Sequence, residues 1–135
     1  MRRVVLASHG NLSVGMKDTV QQIAGSSVAI DTVAAFTDDV PLPAMVANVL
    51  DDIPPGQEVL VFTDLLGGSV NQAFLPYAHR PGLFIVSGMF LGLVLELILL
   101  PAPLTRDAID GAIDRAKSGV IGVWNVNGEA AKDDE

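Results

Sequence analysis

The hydrophobic period of this sequence switches repeatedly between about two and about 3.6 residues, and glycine or proline marks most of the switches. Short β-branched or apolar runs from Arg3 to Ala7, Val28 to Phe36, Val59 to Thr63, Leu83 to Val86 and Val120 to Val126 read as strands. Between them apolar residues recur at helical spacing. Met16, Val20, Ile23 and Ala24 form one stripe closed by Gly25, and Leu42, Met45, Val49 and Leu50 form another stopped by Pro54-Pro55-Gly56. Val70, Ala73, Phe74, Tyr77 and Ala78 make a third, which Pro76 should shorten or kink. Leu91 to Leu100 reads as a largely buried helix ended by Pro101-Ala102-Pro103. Thr105 then caps a last helix with an inner stripe of Ala108, Ile109, Ala112, Ile113 and Ala116. Strands alternating with helices predict an α/β fold: a three-layer α/β sandwich around a mostly parallel, doubly wound sheet with right-handed crossovers.

The 135 residues suit one domain, expected over residues 1–128, followed by an acidic tail at 129–135. Half the residues are hydrophobic and 18% are charged, which excludes a disordered chain. A formal net charge of −8 argues against nucleic acid as a partner, because phosphate neutralisation needs a basic face. With no cysteine there is no disulfide framework or thiolate site, which fits a cytoplasmic protein. The opening Met1-Arg2-Arg3 is basic, but its apolar run stops at Ser8-His9, too short for a signal peptide. The apolar stretch from Leu83 to Leu100 is split by Gly88 and Gly92 into strand-like and helix-like parts, so it is read as core and not as a membrane span.

Doubly wound sheets bind ligands beyond the carboxyl ends of their strands, at the switch point; for the order 2-1-3-4 this lies between the first and third strands. The loops that meet there carry Ser8-His9-Gly10 and Asp64-Leu65-Leu66-Gly67-Gly68-Ser69. An imidazole whose one nitrogen donates to a carboxylate has a fixed tautomer, with the lone pair of the other nitrogen free to take an electrophile. Helix starts after Gly10 and after Gly67-Gly68 offer amides for an anion. Read singly, each residue has an ordinary explanation: His9 as a turn residue, Asp64 as a cap, and Ser69 with Gln72 as a capping box. Their convergence points to a phosphohistidine. His79 reads as an exposed helix-end residue, Asp38-Asp39 as caps of the helix beginning near Pro41, and no metal-ligand spacing is present.

The segments Val4-Val5-Leu6-Ala7-Ser8-His9-Gly10, Phe62-Thr63-Asp64-Leu65-Leu66-Gly67-Gly68-Ser69 and Ile85-Val86-Ser87-Gly88-Met89 resemble the enzyme IIA component of the mannose-type sugar phosphotransferase system. The resemblance runs over about residues 1 to 125. It implies the same α/β sandwich, with His9 as the phosphorylated residue, Asp64 as its orienter and Ser69 at the phosphoryl site. Leu66 and Val70 depart from the pattern, which has an aromatic residue before the double glycine and a proline after the serine. The resemblance further implies a homodimer whose last, antiparallel strand, here Val120 to Val126, crosses to the other subunit's sheet.

The reaction implied is transfer of a phosphoryl group from the phosphohistidine of the carrier HPr to His9, and from there to a IIB component during sugar uptake. The amides of Gly10, Gly67 and Gly68 would hold oxygens, no cofactor would be needed, and the membrane would be reached only through a IIC/IID transporter. A phosphocarrier subunit of a dihydroxyacetone kinase shares the fold and the N-terminal histidine, although the double glycine argues mildly against it. A receiver domain would be phosphorylated on an aspartate ending the third strand, but it needs an acidic pair where this chain has Ser8-His9. An interaction module on the same fold would take no label at all.

Overall fold

The computed structural model describes residues 2–125. Four strands, β1 (Arg3–His9), β2 (Ala29–Ala35), β3 (Val59–Thr63) and β4 (Leu83–Ser87), form one parallel sheet in the order β2-β1-β3-β4. The helices are α1 (Leu12–Ala24), α2 (Leu42–Asp51), α3 (Ser69–Phe74), α4 (Leu91–Ile98) and α5 (Arg106–Lys117). Pro76 acts as expected: α3 stops at Phe74 and tightens into a 3-10 turn over Leu75–Tyr77. Among the described residues no helix is long and apolar enough to cross a membrane, the stretch in question being divided between β4 and α4.

Alternate residues of each central strand serve opposite layers, the period of two expected of a strand. Val4, Leu6, Leu60 and Phe62 pack with Val20 of α1, Leu93 and Leu97 of α4 and Ile109, Ala112 and Ala116 of α5. Val5, Ala7, Val59 and Val61 pack on the other face with Val46 and Leu50 of α2 and Val70 and Phe74 of α3. With both faces covered, β3 is buried along its whole length, hence its unbroken apolar sequence. Burial of side chains such as Phe62 or Leu60 contributes about 1.5–3 kcal/mol each and fixes the sheet on which the loops stand.

Three local expectations differ from what forms. Ile23 lies outside the packed stripe of α1 and is exposed, because Met16, Val20 and Ala24 already fill that face. Asp38 does not cap α2; its Oδ1 accepts from the Val40 amide, 2.9 Å, in a turn ahead of the helix, and Pro41 holds the cap position. The expected last strand does not form in the single chain. Residues 120–122 are irregular, Val123–Asn125 make a 3-10 turn, and Val120, Ile121, Val123 and Trp124 are exposed. A strand needs a neighbour for its backbone bonds, and among the described residues none lies beside this segment. Val126, the expected boundary at residue 128 and the acidic tail lie outside the described residues.

Candidate active site

Strand register brings the two key loops together. Ala7 of β1 stands opposite Thr63, the last residue of β3, so Ser8 and His9 run on beside the chain that continues into Asp64. On the other side β1 stays paired with β2 as far as His9 opposite Ala35, and the Gly10 amide donates to the Ala35 carbonyl, 2.9 Å. Gly10 turns the chain into α1 with φ +61, in the left-handed region that suits glycine. Behind it the buried Ser8 hydroxyl accepts from the Ser13 amide, 2.8 Å, and the Ser13 hydroxyl donates to the Val33 carbonyl, 3.1 Å. The end of β1 is thus tied to α1 and β2 by groups that cannot rearrange cheaply.

Asp64 Oδ2 accepts from the His9 backbone amide and lies 2.7 Å from His9 Nδ1, while Oδ1 accepts from the Leu65 amide, 2.9 Å. Burial pushes the Asp64 carboxyl up. The His9 amide, the His9 ring N–H, the positive charge of that ring when it is protonated, and the Leu65 amide outweigh that effect and hold it below its ordinary value of 3.8. Asp64 is therefore ionised at neutral pH and acceptor-only, which puts the His9 ring proton on Nδ1 and the lone pair on Nε2. The Asp64 side chain is 9% exposed and that of His9 45%, so the histidine is the member of the pair that an incoming group reaches.

Ser69 Oγ lies 3.2 Å from His9 Nε2. Ser69 is the first residue of α3, Gly68 occupies the cap position, and no side chain caps the helix. The expected capping box is therefore replaced by two other arrangements: the Ser69 hydroxyl faces the imidazole, and Gln72 Nε2 donates to the Gly67 carbonyl, 2.7 Å. The glycine amides are not open donors either. That of Gly67 donates to Asn71 Oδ1, 3.1 Å, that of Gly68 to the Leu65 carbonyl, 3.1 Å, and that of Gly10 to Ala35 as above. Gly67 has φ +77, and a Cβ on Gly68 would stand 3.3 Å from Leu65 and 3.9 Å from His9 Cε1. These glycines shape the loop and leave its donors to Ser69 and the leading amides of α3.

Two residues of the site were not anticipated. Buried Asn71 joins the loop to the sheet, its Nδ2 donating to Thr63 Oγ1, 3.0 Å, and its Oδ1 holding Gly67. Its position three residues before Phe74, on the inner face of a helix, was the available signal. Phe36 lies against His9, ring centroids 5.5 Å apart and planes at 43°. His79 is exposed beyond the 3-10 turn and takes no part. Among the described residues no group of three or more His, Cys, Asp or Glu is placed to hold a metal ion. The arrangement can present one accessible nitrogen nucleophile with a shielded counter-charge behind it and a hydroxyl beside it.

Residues 3–115 match the family described as EIIA-man, PTS system fructose IIA component. Among solved structures, one from Klebsiella pneumoniae subsp. pneumoniae, named for a phosphoenolpyruvate-dependent sugar phosphotransferase system (PTS) permease, aligns with a TM-score of 0.86 and 30% identity over 93% of each chain. The PTS IIA protein associated with the fucose utilization operon of Streptococcus pneumoniae aligns with a TM-score of 0.72 and 25% identity, covering 91% of this chain and 93% of its own. The mannose/sorbose specific IIA subunit from Enterococcus faecalis, at 22% identity and a TM-score of 0.75, covers 90% of this chain and 94% of its own and speaks to the fold alone. No curated protein sequence gives a match.

Proposed function

The chain belongs to the EIIA-man family of PTS system fructose IIA components, and from that premise we propose that it is a phosphoryl carrier that takes the group from phosphorylated HPr on His9 and gives it to a IIB component. The observation that carries this reading is the posture of His9: Nδ1 on the ionised Asp64, Nε2 beside Ser69, and a side chain far more exposed than that of Asp64. In the transfer, the Nε2 lone pair forms the new N–P bond. The donor's N–P bond breaks, and its electron pair returns to the donor imidazole. The Nδ1 proton stays directed at Asp64, whose charge offsets the cationic ring so formed. The Ser69 hydroxyl, which donates to Nε2 at rest, turns to a phosphoryl oxygen together with the leading amides of α3. Gly10, Gly67 and Gly68 act by shaping the loops around the phosphoryl group. Catalysis is positioning and charge stabilisation, and the reading calls for no cofactor.

Exposed Leu12, Phe36, Leu65 and Leu66 lie in or beside the loops that carry His9 and Asp64, an apolar rim suited to a protein donor and acceptor. Of the two departures from the family pattern, Leu66 is 87% exposed and belongs to this rim, whereas Val70 is buried in the core. The reading includes a cytoplasmic location and a homodimer in which residues 120–126 pair with the free edge of the partner's β4. It also takes residues 1–128 as the domain. Incubation with phosphoenolpyruvate, enzyme I and HPr, followed by intact mass and fragment mapping, tests the proposal. One phosphoryl group on His9, absent from a folded His9→Ala variant, is the expected result. Labelling of that variant contradicts it, and a label on no residue would favour an interaction module.

A further inference from the structure

Phe36 combines features that packing alone does not call for. It follows the last residue of β2 and has φ +65, the sole non-glycine residue among the described ones in the left-handed region, where an aromatic side chain is disfavoured. Its backbone is clamped from both sides: the Gly10 amide holds the Ala35 carbonyl, 2.9 Å, and the Thr37 hydroxyl holds the Ala34 carbonyl, 2.8 Å. The residue is nonetheless 63% exposed, so it contributes little to the core. What the strained backbone achieves is contact of its ring with the His9 imidazole, at 5.5 Å between centroids.

Building on the carrier reading, we infer that Phe36 is a positioning residue for His9. Asp64 fixes one end of the imidazole through Nδ1 and the Ser69 hydroxyl meets the other at rest; once that hydroxyl turns to the phosphoryl group, a single hydrogen bond is left and the ring is free to swing about it. Phe36 limits the swing, keeping Nε2 beside Ser69 and in line for an incoming phosphoryl group. Its ring also lies within range of a cation–π interaction with the imidazolium-like ring of the phosphorylated state. The sequence link is direct: parallel pairing of His9 with Ala35 sets the residue after β2 beside the histidine, and the left-handed turn aims its side chain there.

The test compares wild type with Phe36→Ala, Phe36→Tyr and Phe36→Gly. The exposed ring leaves no core cavity when removed and the backbone suits glycine, so Phe36→Gly should unfold at the same or higher denaturant concentration than wild type. NMR relaxation of the His9 ring in unphosphorylated protein should show greater mobility in the Ala and Gly variants. The phosphorylation rate at saturating phospho-HPr should fall about tenfold in both and stay within about twofold of wild type in Phe36→Tyr. Unchanged ring mobility with an unchanged saturating rate overturns the inference. So does a loss confined to KM, which would leave Phe36 only its place in the docking rim. If wild type accepts no phosphoryl group, the carrier reading fails on its own, and the ring relaxation still decides whether Phe36 holds His9.

Discussion

Asp64 takes three hydrogen bonds, from the His9 amide, the His9 ring and the Leu65 amide, and so links the chemistry of the site to its stability. Because its carboxyl is held below the ordinary 3.8, its stabilising contribution is fully present above that value. The contribution is lost as pH falls through the lower folded value. Asp64→Asn should therefore lower the urea midpoint at neutral pH, by about 1–3 kcal/mol in stability, with the difference from wild type shrinking in acid. The same variant should accept phosphoryl about a hundredfold more slowly, since an amide neither fixes the tautomer as firmly nor offsets the ring charge. Equal midpoints across the acid range, measured by urea titration at several pH values, would contradict this account of Asp64. That His9 and Asp64 meet was legible in the sequence because each follows an apolar run, and topology alone makes those ends neighbours. Phe36 was not: sequence places it at a strand end but gives no sign of a left-handed backbone. Nor did it disclose that the amides of Gly10, Gly67 and Gly68 are spent inside the loops.

At the scale of elements, the predictable features were those decided by neighbours in sequence. Thr105 caps α5 as read, its hydroxyl accepting from the Ala108 amide, 3.1 Å, with Asp107 in the first turn and Arg115 and Lys117 in the last to complement the helix dipole. Thr105→Ala should cost about 1 kcal/mol in a urea melt without altering phosphorylation. A change in phosphoryl acceptance would mean that α5 is coupled to the site. Ser69 follows the same local rule on paper, yet its hydroxyl goes to His9, because a contact from a distant strand outcompetes the local cap. Elements whose formation depends on something outside the chain segment were beyond local reading, and residues 120–125 are the instance: their β-branched and aromatic residues suit a strand, but among the described residues no neighbouring strand lies beside them.

For the whole molecule, the doubly wound order and three layers were legible because five apolar runs separated by helical stripes admit few arrangements. Among the described residues the single chain leaves the outer edge of β4 without a strand partner and exposes Val120, Ile121, Val123 and Trp124, the last 86% exposed, which is why the proposed function includes a dimer. Trp124 is the sole tryptophan, so its emission reports directly on that segment. Light scattering should find a dimer at micromolar concentration, Trp emission should move to shorter wavelength as dimer forms, and Trp124→Asp should yield monomers. A wild-type monomer with solvent-exposed emission would contradict the assembly. The central claim concerns one atom, and NMR of the phosphorylated, nitrogen-labelled protein tests it most directly. Phosphorus–nitrogen coupling at His9 Nε2, with the Nδ1 proton retained, is the predicted result; phosphorylation at Nδ1, or on Asp64 or any other residue, would contradict it.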